Sequence, residues 1–140
     1  MDRVYVFIDD ERDIPPARDE YDLPNDCAKP DDCQEALLFR SYEDFFLWVA
    51  SGIFSGQELV LALDHDMGTV TSRQGGLYIP GALRMDGLQA VLKMRELKED
   101  KQLPPIIRAR VHSWNISRSL SMVEALFDMN INAYHCPFSG

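Results

Sequence analysis

Hydrophobic and polar positions along the chain fall into short dense runs and longer amphipathic stretches. RVYVFI, Arg3 to Ile8, is rich in β-branched and aromatic residues and runs straight into Asp9, Asp10, Glu11 and Arg12, which predicts a first strand. Ala36 to Arg40 predicts a second, Leu59 to Leu63 a third, Ile106 to Val111 a fourth ending in His112 and Ser113, and Asn132 to His135 a fifth. Runs this short and this apolar suit strands covered on both faces. Between them the spacing changes to that of helices. Ser41 caps one, with Asp44 three positions on and Phe45, Phe46, Trp48 and Val49 on its apolar face up to Gly52. Asp86 caps a second, which carries Leu88, Val91, Leu92 and Arg95 before the charged end KEDK. Asn115 or Ser117 caps a third, with Leu120, Val123, Leu126 and Phe127 on one face.

Two stretches carry neither period. Residues 13–34 hold Pro15, Pro16, Pro24 and Pro30 among many Asp residues, and proline removes a backbone donor and disfavours helix in the residue before it. An irregular loop is expected where a first helix would otherwise stand. Thr69 to Leu83, with Gly75, Gly76, Pro80 and Gly81, lies in an insertion over 67–85 that is also expected to be an irregular loop, a candidate lid beside a site. Strands alternating with helices predict a single α/β domain over 1–140, a doubly wound, flavodoxin-like parallel sheet of five strands. The first helix is replaced by the Pro-rich loop, and the last is absent because the chain stops within five residues of the fifth strand.

Charge narrows the choice of partner. Fourteen basic against 23 acidic residues give a net charge of −9, which argues against extended binding to nucleic-acid or lipid phosphates and leaves room for a small phosphate ligand. No apolar run reaches the ~20 residues a membrane span needs, and no signal sequence precedes the first strand, so a cytoplasmic protein, monomeric or weakly dimeric, is expected. Cys27, Cys33 and Cys136 are odd in number and lack CxxC spacing; reduced thiols are expected, with Cys136-Pro137 a candidate cis bond.

The chemistry sits where strands end. A parallel sheet gathers Asp9 and Asp10, Asp64 to Asp66 in LDHDMG, His112 and Ser113, and His135 along its carboxyl edge, where open α/β sheets place their sites. At an effective dielectric near 20, two carboxylates ~4 Å apart repel by about 4 kcal/mol, so three converging on one point need a cation or a proton. Hard oxygen donors favour Mg²⁺ or Mn²⁺, held chiefly by Asp9 or Asp10 and by Asp64. Asp66 is either a supporting residue or a cap on the turn at Gly68, and Arg12 pairs with an acid or reaches a phosphate. Trp114 is either core or a platform for a nucleobase.

IDD after the first strand, Asp64 closing the third, RMDGLQAVLKMRE and a hydroxyl residue closing the fourth resemble the receiver domains of response regulators. The resemblance implies Mg²⁺ at Asp9 and Asp10, a phosphoacceptor at Asp64 and phosphate contact at Ser113. It also shows departures that weigh against phosphorelay signalling: His135 stands where that family has lysine, and about twenty residues separate Asp64 from Met85-Asp86-Gly87.

IDDER with a following Pro-Pro, RSYED, LDHDMG and VHSWN with a later Arg are more similar to the receiver-like group known as cyclic-phosphate processing receiver domains. That resemblance implies a metal-dependent phosphoesterase-like enzyme acting on a cyclic phosphate, in a nucleotide or at an RNA end. Opening such a ring needs a Lewis acid, a base for water and an acid for the leaving oxygen. His65 and His112 are the candidates for base and acid, Asp9, Asp10 and Asp64 for the metal, and Ser113, Asn115 and Arg118 for the phosphate. The competing readings are a receiver or pseudo-receiver binding module with Asp64 as phosphoacceptor, and an acidic interaction protein without catalysis.

Overall fold

Strand β1, Arg3–Ile8, lies at the centre of the fold, with Val4 to Ile8 fully buried. It pairs in parallel with β2, Glu35–Phe39, on one side and with β3, Glu58–Leu63, on the other. The computed structural model describes residues 2–52, 56–67, 69–74, 77–83, 85–113 and 115–136. Beyond β3 the chain forms β4, Thr69–Gln74, and β5, Leu77–Leu83, then β6, Ile106–Val111, and β7, Asn132–His135. The main sheet is parallel throughout, in the order β2-β1-β3-β6-β7. The connection from β1 steps outward to β2, and the next returns across β1 to β3. Such a reversal opens a crevice at the carboxyl ends of the two strands that flank it.

Three helices form where apolar residues recur at helical spacing. Helix α1, Tyr42–Ser51, starts at Ser41, whose side chain accepts from the Asp44 backbone N–H, and ends at Gly52 in the left-handed conformation. Helix α2, Gly87–Glu99, opens with a complete capping box between Asp86 and Gln89. Helix α3, Ile116–Asp128, is capped by Asn115, not Ser117.

Tyr42, Phe45 and Val49 from α1, Ala90, Val91 and Met94 from α2, and Met122 and Leu126 from α3 share one core with Val4, Val6, Ile8, Leu59, Leu61 and Leu63. All three helices therefore cover the same face of the sheet. The opposite face, with Tyr5, Phe7, Val60 and Ala62, is closed by Cys27, Cys33, Cys136 and the half-buried Ile14. Between β1 and β2 no helix forms, and the loop takes the place of a helical layer. Prolines prevent a helix there, while Asp32 pins the loop by accepting from Arg3 and, with both carboxylate oxygens, from Arg108.

One expectation is corrected. The stretch from Thr69 to Leu83 is an antiparallel pair, β4 with β5, registered from Thr69 opposite Leu83 to Gln74 opposite Leu77. Its sequence holds a usual hairpin signal, β-branched and aromatic residues on either side of Gly75-Gly76, which Pro80 and Gly81 disguise. Cys136-Pro137 as a cis bond and the stacking role of Trp114 fall on residues outside those described.

Candidate functional site

Asp9 is the residue at which β1 stops, and its carboxylate organises the turn that follows. Oδ1 accepts from the backbone N–H groups of Glu11, at 2.9 Å, and Arg12, at 2.8 Å, while His112 Nε2 donates to Oδ2 across 3.2 Å. Burial alone would raise the Asp9 pKa; the bond to His112 and those from Arg12 and Glu11 overcome it and hold the carboxyl below its ordinary value. His112 is fully buried at the end of β6, its ring stacked on Phe7 at 4.6 Å. Burial outweighs the pull of Asp9 there, lowering the imidazole pKa and favouring the neutral ring.

Asp64 ends β3, next to β1 in the sheet. Its backbone N–H donates to Ile8 O at 3.2 Å and its carbonyl accepts from the Tyr42 hydroxyl, so the main chain is fixed on both sides. The carboxyl is pushed up to about 7, first by burial and then by the nearby charges of Asp9 and Asp10. Asp9, Asp64 and His112 form a buried cluster that can hold a metal ion: one donor atom from each lies within 4.8 Å of the others. Two crowded carboxylates and an imidazole fit a cation chemically, because a positive ion relieves the repulsion that raises Asp64.

Above the cluster opens a cleft of about 300 Å³, lined by Asp9, Asp10, Glu11, Arg12, Asp64, Asp66 and Ser113. Arg40, the residue after β2, braces its wall, donating to the carbonyl oxygens of Asp9, at 3.3 Å, and Arg12, at 2.6 Å. Ser113 is buried, and its hydroxyl accepts from the Asn115 backbone N–H at 3.1 Å. His135, at the end of β7, donates from Nε2 to the Ser113 carbonyl at 2.8 Å. It anchors the strand end that presents Ser113 and does not line the cleft.

The two residues after Asp64 exchange the positions that sequence alone suggests. His65 is buried with its ring outside the cleft lining: Nδ1 donates to Asp66 Oδ1 at 2.8 Å, and Nε2 lies 3.8 Å from Asp86 Oδ2 with no hydrogen-bond partner among the described residues. Asp66 is the exposed one, and it lines the cleft. Adjacent residues leaving a strand end point to different sides, and nothing in LDHDMG says which side faces ligand.

Asn115 and Arg118 are not brought into the cleft. The Asn115 side-chain oxygen Oδ1 caps α3, accepting from the Arg118 N–H at 3.2 Å and the Ser117 hydroxyl at 3.3 Å, and the Arg118 side chain is exposed on the first turn. Two further contributors carry little sequence signal. Tyr42 reads as one more apolar residue of α1, and Gly87 as a helix start, yet a Cβ on Gly87 would sit 2.5 Å from the Asp64 carbonyl oxygen.

Nothing matches the chain among curated proteins or among solved structures. The family description for the cyclic-phosphate processing receiver domain matches residues 4–128, from β1 to the end of α3, and so covers every cleft residue but not β7. With the sheet order of a receiver and an acidic cleft at the ends of β1 and β3, the chain belongs to the family of cyclic-phosphate processing receiver domains.

Proposed function

We propose that this domain opens a cyclic phosphodiester, in a nucleotide or at an RNA end, as a metal-dependent phosphoesterase-like enzyme of the cytoplasm. The observation that supports it is the convergence of Asp9, Asp64 and His112 beneath a cleft whose remaining walls are Asp10, Glu11, Arg12, Asp66 and Ser113. Asp9 and Asp64, with Asp10 beside them, would hold Mg²⁺ or Mn²⁺, and His112 keeps Asp9 ionised and in place. The chemistry such an ion supplies is Lewis-acid polarisation of a phosphoryl oxygen. The Ser113 hydroxyl and the Arg12 guanidinium are the groups of suitable type to bind the phosphate, a neutralisation that a cleft this acidic needs.

Proton handling falls to Asp66 and His65 as a unit. Asp66 meets water at the cleft, and the His65 ring bonded to it shares the proton at Nδ1. His112 is too deeply buried to meet substrate directly and acts through Asp9.

Turnover of a panel of cyclic nucleotides and of an RNA end bearing a 2′,3′-cyclic phosphate, with Mg²⁺ and with Mn²⁺, tests this reading. Hydrolysis that disappears in Asp64→Asn is the expected result. No turnover with either metal, together with labelling of Asp64 by a small phosphodonor, would overturn it in favour of a phosphoaccepting receiver module. That second reading draws on the same observation, an Asp at the end of β3 facing the cleft.

A further inference from the structure

The sheet face opposite the helices holds a second chemical feature, unconnected with the acidic cluster. Cys27, in the loop after β1, and Cys136, just past β7, are 109 residues apart in sequence, and their sulfur atoms lie 3.7 Å from each other. Both are buried thiols, and Cys27 Sγ also contacts the Cys136 carbonyl oxygen at 3.5 Å. Cys33 packs in the same cluster, but its thiol is directed to Asp32 Oδ1 at 3.8 Å.

The pair is held by its backbone on both sides. The Tyr5 hydroxyl donates to the Cys27 carbonyl, and Arg110 donates to the carbonyl oxygens of Asp26 and Ala28 that flank it. On the other side the Cys136 N–H donates to Val111 O at 2.7 Å, fixing the residue to the end of β6. A disulfide needs its sulfur atoms at about 2 Å, so the two thiols at 3.7 Å have to close a short remaining gap. A cleft of about 510 Å³, lined by Asn25, Arg110, His135 and Cys136 among others, gives a small oxidant a route to Cys136, with Cys27 directly behind it.

We propose that Cys27 and Cys136 form an oxidation site at which hydrogen peroxide, entering through this cleft, converts the two thiols to a disulfide. The Cys136 thiolate attacks one peroxide oxygen; the O–O bond breaks and leaves a sulfenic acid on Cys136 and hydroxide, which takes up the thiol proton as water. The Cys27 sulfur then attacks the Cys136 sulfur, the S–O bond breaks, and a second water leaves with the Cys27 proton. Two thiols lose two electrons and the peroxide gains them. Burial pushes Cys27 up to about 12 and raises Cys136 as well, against the pull of the Arg110 cation, so closure is slower than at an exposed low-pKa cysteine.

The bond joins the loop that leaves the acidic cleft at Asp9 and Arg12 to the strand end that supports Ser113 from behind. The loop containing Cys27 begins at Asp9 and Arg12, and the residue before Cys136 is His135, which holds the Ser113 carbonyl. Oxidation thereby ties the loop that closes one sheet face to the last strand of the sheet.

Treating the reduced full chain with hydrogen peroxide, then denaturing it, alkylating the remaining thiols and mapping peptides by mass spectrometry, tests the proposal. A Cys27–Cys136 cross-link in wild type and in Cys33→Ser is expected, with Cys33 of the wild type recovered alkylated and the melting temperature raised by about 10 °C until a thiol reductant is added. In Cys27→Ser the cross-link is replaced by a Cys136 sulfenic acid that dimedone captures. Full alkylation of Cys27 and Cys136 after an exposure about a hundredfold longer than the one that consumes an equal amount of free cysteine would overturn the proposal, as would cross-links that include Cys33 in comparable yield. The wild-type map decides this even where a variant does not fold.

Discussion

His112 Nε2 donates to Asp9 Oδ2 across 3.2 Å, and the imidazole that does so is fully buried with its plane 5° from that of Phe7. The contact joins the end of β6 to the end of β1 across the intervening β3, beneath the cleft. It explains how a carboxylate exposed by only 1% stays ionised beside a second acid.

His112→Ala removes both the ring stacked on Phe7 and the donor to Asp9. Leaving a buried carboxylate short of a partner costs more than the bond itself contributes. A loss of about 2–4 kcal/mol is expected in urea unfolding, together with a weaker metal-induced melting shift.

Asp64→Asn is expected to stabilise the metal-free protein at pH 8 and to abolish its response to metal. The folded-state pKa near 7 lies above the ordinary carboxyl value of about 4, so the native state binds the proton more tightly than the unfolded chain. Stability of the wild type in chelator therefore falls as pH rises from about 4 to about 7 and stays lower above that. Asn removes this loss, a gain of about 2–4 kcal/mol at pH 8. Mn²⁺ should then raise the melting temperature of the wild type alone, since a cation that binds only the native state stabilises it by mass action. Scanning calorimetry from pH 4 to pH 8, with chelator and with Mn²⁺, reads both effects.

Gly87→Ala reverses the usual sign of a glycine replacement in a helix. Ala is the better helix former by about 1 kcal/mol. Here its methyl group would lie 2.5 Å from the Asp64 carbonyl oxygen and 2.5 Å from Met122 Cε, and the former is main chain that cannot rotate away. A net destabilisation of about 1–3 kcal/mol is expected by chemical denaturation. Gly87 N–H also donates to the His65 carbonyl at 3.0 Å, so the metal-induced shift should shrink as the β3–α2 junction moves.

Asp32→Asn tests the strap over the other end of the sheet. The carboxylate accepts two bonds from Arg108 at 2.8 and 2.9 Å and one from Arg3 at 2.8 Å, and these hold its pKa well below the ordinary value. A depressed carboxyl contributes stability above its unfolded value near 4 and loses it as pH falls further. The group is partly exposed, so screening limits the loss at pH 7 to about 0.5–1.5 kcal/mol. The difference between wild type and variant should narrow below pH 4 in acid titrations followed by circular dichroism.

Much of the fold is legible locally. Arg3–Ile8, Ile106–Val111 and Asn132–His135 are strands at the boundaries their side chains predict, and Ser41, Asp86 and Asn115 cap the helices. Strand propensity and caps act over a few neighbours, so the chain spells them out in order. The hairpin of β4 and β5 was hidden for a related reason: Pro80 and Gly81 punctuate a run that pairing with the facing strand carries through.

The chemical identity of the site is equally local, because LDHD at one strand end and IDD at another are runs of consecutive residues. Their division of labour is not. Which of His65 and Asp66 faces ligand depends on where Asp86 and the start of α2 stand, and the burial of His112 depends on Phe7 from a strand two places away in the sheet. Nor does any short segment relate Cys27 to Cys136, whose 3.7 Å separation arises only when the Pro-rich loop folds over the sheet face that the helices leave open. Composition and spacing specify which groups a chain carries and which elements they end. Solvation, charge and reach follow from packing between distant segments, and at this site they decide which group meets a ligand and which one holds it in place.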